Sequence, residues 1–74
     1  MNIYYQTIDF KGIGPHMITV WYDEDEDPKP TKIEHEAWCI RNAKDRYKIR
    51  DGRDAVCIFF EDKHLAIQFK LVFA

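Results

Sequence analysis

His35 and Cys39 stand four residues apart, the spacing that sets two metal-ligating side chains on one face of a helix. A closed zinc site needs four ligands, so two more would have to be found among His16, His64 and scattered carboxylates. No HExxH pair, nucleophile elbow, phosphate loop or DxD constellation accompanies them. Gly12-Ile13-Gly14-Pro15 is a turn that lacks the rest of a dinucleotide fingerprint. The residues therefore point away from an enzyme. No catalytic residue, metal site or cofactor is assigned, and His35 and Cys39 read as surface and core residues.

The charged tracts and tryptophans offer binding chemistry instead. Asp23-Glu24-Asp25-Glu26-Asp27 lacks the alternating ligands, turn glycine and distant glutamate of a calcium loop. It reads as a solvated segment or as an electrostatic dock for a basic surface. Trp38 and Arg41 fall on the polar side of the expected helix, where a tryptophan serves as an interface anchor. Trp21 ends an apolar run and joins them. Lys44, Arg46, Lys48, Arg50 and Arg53 crowd one short stretch around Tyr47 and could hold phosphates, although Asp45, Asp51 and Asp54 interrupt them and no RRM-type aromatic signature marks the strands.

The elements that must carry these groups follow from periodicity. Asn2 to Phe10 is rich in Ile, Tyr and Thr and reads as a strand. Lys11 to Pro15 supplies a turn, and His16 to Tyr22 a second strand, giving a hairpin. Thr31 followed by Glu34 matches a capping box, and Ile33, Ala37, Ile40, Ala43 or Lys44, and Tyr47 mark the apolar stripe of a helix that Asp51-Gly52 ends or follows as a turn. Ala55 to Phe60 is apolar on both faces, as in a central strand. Glu61 to His64 has the length of a hairpin loop, and Leu65, Ile67, Phe69, Leu71 and Phe73 alternate as a last strand. The expected order is β-β-α-β-β, an α+β fold with a mainly antiparallel four-stranded sheet and one helix on one face. Met17, Thr19 and Trp21 then point away from Ile18, Val20 and Tyr22, and one helix leaves the second face to be covered by loops, a second copy or a partner.

Composition bounds the rest. The 74 residues form one domain over 1–74, with 46% hydrophobic and 15% aromatic content that suffices for a compact core. A net charge of −2 gives no global attraction to nucleic acid or anionic membranes. Two cysteines are too few for a disulfide framework, no signal peptide or apolar span of about 20 residues is indicated, and a cytoplasmic protein with no membrane contact is expected.

The tail Phe59-Phe60-Glu61-Asp62-Lys63-His64-Leu65-Ala66-Ile67-Gln68-Phe69-Lys70-Leu71-Val72-Phe73 resembles the ending of small bacteriophage accessory proteins. That resemblance implies a protein acting in the infected host cytoplasm by binding and inhibiting or redirecting a host protein or defence complex. The resulting expectation is a non-enzymatic interaction module that docks on a host protein through Trp38, Arg41, Trp21 and the Asp23 to Asp27 run, with a homodimer as a further partnership. The alternatives are a nucleic-acid-binding domain using the Arg41 to Arg53 stretch and a self-associating virion or structural component.

Overall fold

The computed structural model describes residues 1–8 and 14–74. Its elements are β1 (Asn2–Thr7), β2 (His16–Trp21), α1 (Pro28–Asn42), β3 (Tyr47–Asp51), β4 (Ala55–Phe60) and α2 (Lys63–Phe73). The strands form one antiparallel sheet in the order β1-β2-β4-β3, an α+β fold. The expected extension of the first strand to Phe10, and most of the turn after it, lie outside the described residues. The apolar Ala55 to Phe60 run is a central strand, with a hydrogen-bonded neighbour on each side.

The sheet register sorts the side chains into two faces, because alternate residues of a strand point to opposite sides. Ile3 and Tyr5 align with Val20 and Ile18, these with Val56 and Ile58, and Ile49 with Ile58. These residues, together with Phe60 and Tyr47, form or border the core, into which α1 contributes Trp38, Cys39 and Ala43, and α2 contributes Leu65, Ala66 and Phe69. Helix α2 packs against β1, β2 and β4. Lys32 of α1 meets Asp51 of β3 at 3.3 Å, and Trp38 meets Phe60 edge-on. Both helices thus lie on the same side of the sheet.

Helix α1 starts earlier than the Thr31–Glu34 pattern suggests. Asp27 is the N-cap, its Oδ1 accepting from Lys29 N at 3.1 Å, and Thr31 lies inside the helix. Pro28 and Pro30 fall in the first turn, where backbone N–H groups have no helical partner, so their missing donors cost nothing there. The helix also ends earlier. Ala43 is its C-cap, and Lys44 has a positive φ of 53°, a left-handed position that glycine usually fills. The chain leaves the helix there, and Tyr47 to Asp51, read above as part of the helix, is an edge strand instead.

The buried face of α1 differs from the expected stripe. His35, Trp38, Cys39 and Ala43 face inward at intervals of three and four, whereas Ile33 is 70% exposed and Ile40 also points to solvent. Two apolar stripes compete on this helix, and the one carrying the indole wins because Trp38 meets Phe60, Phe69 and Phe73 edge-on, with ring centroids 6.3, 5.6 and 6.3 Å away.

The last strand is a helix. Asp62 caps it by accepting from His64 N at 2.9 Å, and Leu65, Ala66, Phe69 and Phe73 face the core at helical spacing. Leu, Ala, Gln and Lys are good helix formers, and only Ile67 and Val72 are β-branched. In the strand reading Leu71 belongs to the core face; in the helix it is 77% exposed.

Two glycines allow close backbone approaches. A Cβ on Gly14 would lie 2.4 Å from the backbone C and O of Phe60, so this position seats the β1–β2 connection against the end of β4. In the β3–β4 turn, Gly52 N donates to Ala55 O at 2.7 Å, and a Cβ would meet that same oxygen at 2.8 Å.

Candidate interaction surface

The other side of the sheet has no described helix over it. Three rows of aligned residues cross it. Gln6, Met17, Phe59 and Lys48 make the first, and Tyr4, Thr19, Cys57 and Arg50 the second. Asn2, Trp21 and Ala55 make the third. Tyr4 and Trp21 are 55% and 48% exposed and sit diagonally across β1 and β2. Phe59 and Thr19, by contrast, are buried, and Thr19 Oγ1 lies 4.0 Å from Cys57 Sγ. Among the described residues, the ionic side chains that the strands contribute to this face are Lys48 and Arg50, both on the β3 edge. A cleft of about 290 Å³ opens beside Lys48 and Phe59, also lined by Gly14, Pro15, Asp45, Tyr47 and Glu61.

The expected site residues divide accordingly. Trp21 is on the open face, as the alternation of Met17, Thr19 and Trp21 implied. Trp38 is not a surface anchor: it is 8% exposed, and its indole is a centre of the aromatic core. Only its edge reaches a shallow groove with Asn42, Gln68, Leu71 and Val72. Arg41 is exposed in the last turn of α1, on the opposite side of the sheet from Trp21.

The acidic run is largely engaged within its own chain. Asp23 Oδ2 accepts from the Met1 amino group at 2.8 Å, and Glu26 lies 3.5 Å from that same group. The hydrogen bond to Asp23 raises the amino pKa above its ordinary value. Glu26 also accepts from Asp23 N, and Asp27 caps α1. Glu24 and Asp25 remain as exposed carboxylates at the Trp21 end of the sheet.

The basic stretch is dispersed. Lys48 and Arg50 project from β3 onto the open face, Lys44 and Arg46 lie in the turn before it, and Arg53 lies in the β3–β4 turn among Asp51 and Asp54. Tyr47, between them in sequence, turns to the core face, where burial raises its phenol pKa.

His35 and Cys39 are both core residues. Burial pushes the Cys39 thiol up to about 12, which leaves it neutral and unsuited to nucleophilic attack or metal ligation. Burial also lowers the His35 pKa, its Nε2 has no hydrogen-bond partner, and its ring packs on Phe69 and Phe73 at 4.9 and 4.3 Å. Among the described residues no group of three His, Cys, Asp or Glu side chains is placed to hold a metal ion. No helix among them is long and apolar enough to cross a membrane.

Sequence reasoning missed the contribution of Tyr4 and the joint placement of Lys48 and Arg50. The signal was present in Tyr47-Lys48-Ile49-Arg50, which alternates apolar and basic residues, but the preceding helical pattern masked it. No protein-family model, curated protein or solved structure matches this chain.

Proposed function

We propose that this protein is a non-enzymatic interaction module that recognises another protein with the helix-free face of its sheet. One observation carries the reading: both helices pack on one side, while the other presents the exposed aromatics Tyr4 and Trp21 towards the β1 edge and the cationic Lys48 and Arg50 at the β3 edge. Tryptophan, tyrosine and arginine are the side chains that dominate binding energy in protein interfaces. A host protein met in the cytoplasm of an infected cell, inhibited or redirected by occupation of its surface, is the setting that the phage-like tail supports.

Affinity capture from bacterial lysate tests this with three forms of the chain. A partner recovered by the wild type and by Leu71→Glu, but lost with Trp21→Glu, supports recognition by the open face. Equal recovery by all three sinks it.

A second reading, single-stranded nucleic acid on the same face, is favoured by the combination of Tyr4 and Trp21 with Lys48 and Arg50, since bases stack on aromatics and phosphates meet cations. Against it, Glu24 and Asp54 lie near the Trp21 end of the sheet and would repel phosphates. Electrophoretic shift with a single-stranded oligonucleotide decides between them, because phosphate binding weakens steeply as salt rises.

A further inference from the structure

Two buried polar atoms, Tyr22 Oη and His35 Nε2, have no hydrogen-bond partner among the described residues, and the two side chains that carry them line the same cavity. We infer that this cavity is an internal hydration site, in which bound water bridges the Tyr22 hydroxyl to His35 Nε2 and ties the end of β2 to α1. The cavity lies on the core side of the sheet, so its occupancy is independent of what the open face recognises.

Four parts of the chain build the site. Tyr22 follows β2 and continues the inward alternation of Ile18 and Val20, with its backbone N–H donating to Asp54 O at 3.0 Å. Helix α1 supplies His35, which is 3% exposed and packs its ring on Phe69 and Phe73. Ile49 of β3 and Val56 and Ile58 of β4 make the apolar wall. Lys32, Glu36 and Asp51 are the more exposed members of the lining and form its rim, where Lys32 meets Asp51 at 3.3 Å.

Size and charge select the occupant. The cavity measures about 60 Å³. A cavity of about 10–15 Å³ already admits a water, whose share of the liquid is roughly 30 Å³, whereas a benzene ring takes a cavity of about 150 Å³. Water therefore fits, and an organic ring does not. The inner groups are neutral, because burial raises the Tyr22 phenol pKa and lowers that of the His35 imidazole, each away from its charged form. Charge is confined to the rim, where Lys32 is already paired with Asp51, so neither an anion nor a cation meets a matching set of partners. A phenol and a neutral imidazole nitrogen need a neutral molecule that both donates and accepts. Left dry, both atoms forfeit the hydrogen bonds they make to water in the unfolded chain. A bridging water restores those bonds at a small entropic cost.

Oxygen-17 magnetic relaxation dispersion is the test, because it counts long-lived water through its oxygen and ignores exchanging hydroxyl protons. The wild type should show a dispersion step. Tyr22→Phe deletes one hydroxyl, keeps the ring, and should lower the step. Tyr22→Phe combined with His35→Phe removes both polar partners and should lower it by about one water per chain or more. Water held elsewhere in the fold contributes alike to all three forms, so the difference between them is the readout. Far-UV circular dichroism checks that each variant is folded. A wild type without a step, or a step that stays undiminished in either folded variant, overturns the inference.

Discussion

Replacing Trp38 by alanine removes an indole that is 8% exposed and meets Phe60, Phe69 and Phe73 edge-on. Truncation of a buried aromatic costs about 3–5 kcal/mol, from lost transfer energy and the cavity left behind. A chain of 74 residues has a total stability of about 4–11 kcal/mol at 0.05–0.15 kcal/mol per residue. With a urea slope near 1 kcal/mol/M for a domain this small, the midpoint should fall by about 3–5 M, leaving the variant unfolded or barely folded. Trp38→Phe, which keeps a ring in the site, should lose only part of that. Trp21→Ala, on the open face and 48% exposed, should shift the midpoint by less than about 1 M. Urea titrations followed by far-UV circular dichroism report the fold without depending on tryptophan fluorescence. A Trp38→Ala protein that unfolds at the wild-type midpoint would refute the packing described for α1 and α2, and would restore Trp38 as a surface anchor.

Two further predictions concern single residues in and just after α1. Burial holds His35 below its ordinary value of 6.5, so the folded chain resists its protonation while the unfolded chain does not. Stability is therefore full above pH 6.5 and declines as pH falls from there toward the lower folded pKa. In melting curves between pH 7.5 and 5, His35→Phe should remove this part of the decline, and an unchanged slope would exclude His35 as its source. Lys44 occupies a left-handed position with a φ of 53°. Lys44→Gly should stabilise the chain by about 0.5–1 kcal/mol, the relief of that conformation less the added freedom of the unfolded glycine, read as a higher urea midpoint.

Local sequence was sufficient for the first hairpin, the central Ala55 to Phe60 strand, the presence of a helix after the acidic run and the two-sided sheet that puts Trp21 outside. Each of these rests on neighbouring residues alone: β-branched runs, apolar residues three and four apart, and alternation that fixes side-chain direction. Three features depended on the assembled molecule. Helix α1 carries two apolar stripes of similar spacing, and only the presence of Phe60, Phe69 and Phe73 across from Trp38 selects between them. The tail from Lys63 to Phe73 fits both a period of two and a period near four. Docking of Leu65, Ala66 and Phe69 on the sheet decides for the helix, which also satisfies its backbone internally. Tyr47 to Asp51 becomes a strand because β4 supplies an edge to pair with, and a lone segment of five residues has no such partner in its own sequence. The open face follows from all three: with the tail folded as a helix beside α1, both helices occupy one side of the sheet, and Tyr4, Trp21, Lys48 and Arg50 are left together on the other.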